Sequence, residues 1–117
     1  MAEFNQFTLS NKAKDVADRL VLEKWFSSAS EAGVFAAAYA IKYHFNSINP
    51  LDLNYPNTTH NNQYVSFDPD GTWETILKNL YHTDTPRLCF TNLINLGLET
   101  IGDKIEENGL LQISDFI

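Results

Sequence analysis

The stretch Ser30–Phe45, SEAGVFAAAYAIKYHF, constrains the fold more than any other part of this chain. From Ala32 to Ile41 it is apolar at nearly every position, so a helix built from it has no polar side to turn to water. On the surface of a monomer it would expose a large apolar patch, which leads to the expectation of a helix buried centrally. Its five alanines, Ala32, Ala36, Ala37, Ala38 and Ala40, allow close helix approach. A chain of 117 residues makes one domain with limited material to cover such a helix alone. Self-association follows as a second expectation, through Val34, Phe35, Ala37, Ala38 and Ile41.

Upstream, Phe7 and Leu9 alternate with Gln6 and Thr8, the mark of a short strand. Ser10 then caps a helix predicted over Asn11–Phe26, with Ala13, Val16, Ala17 and Leu20 on one stripe. Leu22 and Trp25 fall roughly opposite that stripe. Either the helix ends early or these two residues join the self-association surface. Ser28-Ala29-Ser30-Glu31 reads as a capping box that opens the second helix.

Downstream, Asn46–Phe67 holds six asparagines with Pro50 and Pro56, and reads as a long connection with a short strand at Gln63–Phe67. Asp68-Pro69-Asp70-Gly71 is a turn leading to a third helix over Thr72–His82, with Trp73, Ile76, Leu77, Leu80 and Tyr81 inward. Thr85-Pro86 opens a fourth helix with Cys89, Leu93, Leu96 or Gly97, and Ile101 on its buried stripe, and Gly109 ends it. LLQISDFI closes the chain as a segment apolar enough to dock. The fold class expected is mainly α: one domain, residues 1–117, with a strand and two-helix core over 7–45, a long connection over 46–71, and C-terminal helices and closing segment over 72–117.

The net charge of −7 is unevenly placed. Residues 1–50 balance five basic against five acidic side chains, whereas residues 51–117 carry three basic against ten acidic. A nucleic-acid surface needs local excess positive charge, so the second half should repel DNA. The first helix holds the remaining candidates: Lys12, Lys14, Arg19 and Lys24, beside Gln6 and Thr8 of the strand. Their spacing to Asp18, Asp15 and Glu23 lets them pair along the helix instead. No run of apolar residues is long enough to span a bilayer, and MAEFNQF lacks the plan of a signal peptide, so a cytoplasmic protein is expected.

Catalysis finds little foothold, and no cofactor or metal is expected. Cys89 lies on an inward stripe, where a cysteine behaves as a small hydrophobe. His44, His60 and His82 have no partner at metal-ligand spacing. Asp68-Pro69-Asp70-Gly71 lacks the ligand count of a calcium loop. Glu99, Asp103, Glu106 and Glu107 read as a solvated helix face.

A strand followed by two helices resembles the ribbon-helix-helix plan, in which strands from two chains pair and present outward polar side chains to the major groove. Gln6 and Thr8 would be those readers. The order of LSNKAKD at Leu9–Asp15, an alanine-rich second helix, a Pro- and Asn-containing connection, WETILKNLY, and NLGLETIGDKI is similar to the small DndE-like subunit of bacterial DNA sulfur-modification (phosphorothioation) systems. That resemblance spans roughly residues 7–105. It implies a ribbon-helix-helix core with added helices, self-assembly, partner subunits of the modification machinery, and contact with DNA through Lys12 and Lys14. The expected function is a non-catalytic, homo-oligomeric interaction subunit of a DNA-modification or defence complex. A DNA-binding ribbon-helix-helix regulator is the alternative.

Overall fold

The computed structural model describes residues 3–109. It is mainly helical, with four helices and a short two-stranded antiparallel sheet at the N-terminus. Strand β1 (Gln6–Thr8) leads into α1 (Asn11–Leu22) and α2 (Ala29–His44). The connection then makes a 3₁₀ turn at Pro50–Asp52, strand β2 (Asn61–Gln63) and a second 3₁₀ turn at Tyr64–Ser66. Helices α3 (Thr72–Leu80) and α4 (Pro86–Asn108) complete the described chain. The segment LLQISDFI lies outside the described residues.

Local chemistry sets most of these boundaries. Ser10 Oγ accepts the Ala13 N–H at 3.0 Å, and Ser28 Oγ accepts the Glu31 N–H at 3.2 Å. The capping box is only half formed, because the Glu31 carboxylate turns to the Ser27 hydroxyl at 2.5 Å. Helix α1 ends four residues earlier than predicted. Lys24 takes a left-handed conformation (φ 64°), the Trp25 N–H reaches Leu20 O, and the Lys24 N–H reaches Val21 O, which together close the helix. The same device ends α3, with His82 at φ 52° and the Thr83 N–H on Lys78 O. Neither stop carries the glycine that would have announced it.

Two expectations about the core are corrected. The central element is α4, not α2: it is buried on nearly every side from Cys89 to Leu98 and packs against α1, α2 and α3. The alanines of α2 serve this contact. Ala32, Ala36, Ala37 and Ala40 are fully buried, and the backbones of α2 and α4 approach so closely that a Cβ built on Gly97 would lie 1.9 Å from Ala36 O. Small side chains on one helix and a glycine on the other remove the spacers that ordinarily hold helices 8–10 Å apart. On α3, Leu77 is buried and Trp73 stacks on Phe90 at 4.9 Å, but Ile76 and Leu80 are exposed, because this short helix packs along a single line against α4.

The connection is more ordered than its composition suggests. Strand β1 pairs with β2 in the register Gln6–Gln63, Phe7–Asn62 and Thr8–Asn61. The pairing strand thus precedes the predicted Gln63–Phe67. Tyr64 and Phe67 instead leave in a 3₁₀ turn, which puts residues three apart on one side and buries both rings. Thr58 ties the loop to β1, its N–H on Thr8 Oγ1 at 3.2 Å and its hydroxyl on Leu9 O at 2.5 Å. No helix among the described residues is long and apolar enough to cross a membrane.

Candidate interaction surface

Helix α2 turns small residues to α4, and its opposite face is only partly covered by the described residues. Val34, Ala38, Ile41 and Phe45 lie on that face at spacings of four, three and four, the pattern of a two-helix seam. Ala38 is exposed, Phe45 is 43 % exposed with its ring 5.5 Å from that of Tyr81, and Val34 and Ile41 are half-buried against the core. Phe35 lies on the flank of the stripe with its ring 5.2 Å from that of Phe26. Two shallow hollows of about 360 Å³ each adjoin it, one lined by Phe26, Val34 and Phe35, the other by Val21, Trp25 and Phe26. Glu31 and Lys42 border the stripe at its two ends, so an apolar strip is rimmed by charges of opposite sign.

Of the residues expected to mediate self-association, Val34, Phe35, Ala38 and Ile41 keep access to solvent. Ala37 does not: it is 0 % exposed and belongs to the chain's own core. Leu22, 78 % exposed, stands out at the end of α1, while Trp25 folds back as a half-buried side chain on the core. The early end of α1 explains Trp25, which lies past the helix, whereas Leu22 is the last helical residue and stays on its solvent side.

The basic candidates do not form one positive surface. Lys12 bonds to Asp103 of α4, and Glu106 and Glu99 add to the field that raises its pKa, so the basic side of α1 rests against the acidic side of α4. Lys14 pairs with Asp18 at 2.7 Å. The Asp15–Arg19 and Arg19–Glu23 spacings close no ion pair among the described residues, and Lys24 is exposed at the helix stop. On β1, Gln6 is exposed, whereas the Thr8 hydroxyl is taken by the Thr58 N–H.

Of the side chains that hold the N-terminal segment, sequence reasoning names only Glu99, as part of a solvated helix face; the structure instead half-buries it against Ser10, and pairs Asp103 of the same face with Lys12. Asn95 Oδ1 accepts the Ser10 N–H at 2.8 Å, and Glu99 accepts the Ser10 hydroxyl at 2.6 Å. Asn92 Nδ2 donates to Pro50 O at 2.8 Å. Their spacing along α4 is helical, yet a polar residue among apolar ones reads as exposed, which hid the signal. Arg87 lines a cavity of about 480 Å³ with Glu3, Asn5, Glu74, Lys78 and Asp84. It lies 4.5 Å over the Tyr64 ring and donates to Glu74, Phe4 O and Asn5, while Glu3 accepts the Arg87 and Leu88 N–H groups at 2.9 and 3.1 Å. These bonds clamp the start of the chain to the start of α4.

Asp68, 4 % exposed, accepts the Trp73 and Glu74 N–H groups and the Tyr64 hydroxyl, and so caps the start of α3 from within the turn that the sequence suggested. Cys89 is fully buried, and burial first and Glu3 second push its thiol up to about 12. His44 lies 3.3 Å from Thr100 Oγ1 and His60 lies 3.0 Å from Asn11 Oδ1. Among the described residues no group of three or more His, Cys, Asp or Glu side chains could hold a metal ion. No protein-family model, no curated protein and no solved structure matches the chain.

Proposed function

We propose that this chain is a non-catalytic interaction subunit that self-associates through the outward face of α2. The stripe Val34, Ala38, Ile41 and Phe45 supports this reading, because it has the heptad spacing of a helix seam and no described residue covers it fully, although the Phe45 ring lies 5.5 Å from that of Tyr81. Antiparallel pairing about a two-fold axis at Ala38 sets Val34 of one copy against Ile41 of the other. The same register brings Glu31 toward Lys42, so the charges at the two ends are complementary. The order of LSNKAKD, the alanine-rich helix, WETILKNLY and NLGLETIGDKI supports a place for such a subunit beside a DNA-modification or defence machinery.

The acidic residues beside Lys12 and the pairing of Lys14 weigh against the DNA-binding regulator. That reading requires duplex affinity that falls steeply with salt, and no binding at low salt removes it.

Sedimentation velocity at micromolar concentration tests the assembly. The wild-type chain is expected to be dimeric, and Ala38→Glu monomeric with a nearly unchanged melting temperature, since exposed substitutions change stability by about 0.5 kcal/mol or less. Ala37→Glu, by contrast, is expected to unfold the chain, because an unpaired charge buried in its core costs several kcal/mol. A strictly monomeric wild-type mass overturns the proposal.

A further inference from the structure

Strand β1, the long connection and α4 meet at a groove of about 320 Å³. Its size lies at the lower end of the range of small-molecule pockets, about 300–1,000 Å³. Phe4, Phe7, Tyr55 and Leu88 give it aromatic and apolar walls, and no residue lining it is charged, in a chain whose net charge is −7. An ion entering it would shed water and meet no counter-charge, so the chemistry favours an uncharged occupant. The main chain of β1 offers little here, because Arg87 bonds to Phe4 O at 3.0 Å and Asn95 Nδ2 to Thr8 O at 3.4 Å. Recognition therefore falls to side chains.

Asn92 carries the polar part of the site. It is only 5 % exposed, and its Nδ2 donates to Pro50 O at 2.8 Å and to Leu53 O at 3.3 Å. Turning the amide over would set its oxygen against both carbonyls, so the orientation is fixed. Oδ1 accepts no hydrogen bond among the described residues, yet it is not sealed from solvent, and Asn92 lines the groove. Asn95, one turn further along α4, differs: its oxygen takes the Ser10 N–H and its nitrogen serves Thr8 O and Thr91 O. The atom on α4 left for a ligand is thus Asn92 Oδ1, which calls for a donor. The Tyr55 hydroxyl and the Asn57 carboxamide, neither bonded among the described residues, can serve an acceptor beside that donor. Burial first and Glu99 second raise the Tyr55 hydroxyl to about 12, which keeps it a neutral phenol. An amide or lactam edge carries a donor and an acceptor side by side, and a flat ring packs against aromatic walls.

We propose that this groove binds a small, flat, uncharged ring compound through a primary amide or lactam edge. The N–H of that edge donates to Asn92 Oδ1, and the ring lies against Tyr55 and Leu88. The site goes beyond self-association and shares no residue with the α2 stripe.

Nicotinamide and uracil are the probes, titrated into the full chain and followed through the NMR shifts of the Asn92 side-chain amide. N,N-dimethylnicotinamide and fully N-methylated uracil lack the N–H, and each is expected to bind about tenfold more weakly than its parent, as for the loss of one buried hydrogen bond. Nicotinate, which is charged, is expected not to bind. Tyr55→Ala removes an aromatic wall, and Leu88→Glu brings a charge through a side chain that is already exposed. Each should weaken nicotinamide about tenfold or more. Asn92→Ala should erase the preference for the unmethylated probes; should that variant fail to melt cooperatively, the methylated probes on the wild-type chain decide alone. Ala38→Glu should bind as the wild type does, so a monomeric wild-type chain that still takes up nicotinamide removes the assembly and leaves this site standing. Absence of binding by both parent compounds, equal affinity for parent and methylated probes, equal binding of nicotinate, or affinity undiminished in both Tyr55→Ala and Leu88→Glu overturns the proposal.

Discussion

Burial of the Cys89 thiol and of several tyrosines is expected to make the chain's stability depend on alkaline pH. The folded state holds the proton of Cys89 up to about 12, whereas an ordinary thiol releases it near 9.0. The unfolded chain therefore loses protons first, and the contribution is complete below pH 9.0 and disappears as pH rises toward 12, at about 1.4 kcal/mol per pH unit for this group. Tyr55 and Tyr81, both raised by burial to about 12 from 10.0, act in the same direction from pH 10.0 upward. Urea unfolding followed across this range is expected to show stability falling from pH 9.0 in the wild type and only from near pH 10.0 in Cys89→Ala. Identical pH slopes in the two proteins would show that the thiol titrates no differently when folded. The place of Cys89 on an inward stripe could be read from helical spacing, and so could the capping role of Asp68 from its turn. The buried amides of Asn92 and Asn95 could not, because asparagine is ordinarily exposed and their partners outside α4 lie 39 to 87 residues away in the chain.

At the scale of elements, the α2–α4 contact depends on the absence of a methyl group. A Cβ on Gly97 would lie 1.9 Å from Ala36 O, a backbone atom that cannot rotate aside, whereas one on Gly102 would meet the Val16 methyl at 2.6 Å, a side chain with some freedom to yield. Alanine favours a helix over glycine by about 1 kcal/mol, but over-packing costs about 1–3 kcal/mol or more. Thermal unfolding should therefore show Gly97→Ala destabilised by about 3 kcal/mol or more, and Gly102→Ala by clearly less. Equal melting temperatures would mean that the two helices can separate freely. The alanine content of α2 announced a close helix contact correctly, but the partner is the chain's own α4. Spacing places the end of α1 at Phe26, with an earlier end as the alternative, because Lys24 takes a left-handed stop that spacing alone assigns to glycine.

In the whole molecule, α4 is the element against which the others are assembled. It touches α1, α2, α3 and the Pro50–Asp52 turn, and it holds the β1–α1 junction through Asn95 and Glu99. Opening α4 requires breaking every other contact, so its central amides, Leu93–Leu98, are expected to exchange with deuterium only through global unfolding, while the Tyr55–Thr59 connection exchanges orders of magnitude faster. Mass spectrometry of exchanged peptides checks this, and α2 exchanging more slowly than α4 would contradict it. The amino-acid sequence by itself determined the number of helices, most of their starts and the apolar character of α2, because the caps at Ser10 and Ser28, the proline that opens α4 at Pro86 and apolar spacing act over a few neighbouring residues. Only the tertiary structure decided that α4 is the centre, that Ala37 faces inward while Ala38 faces solvent, and that β1 pairs with β2. Each of those outcomes depends on how closely two distant backbones can approach, and that distance is set by pairs such as Gly97 and Ala36 that no local pattern joins.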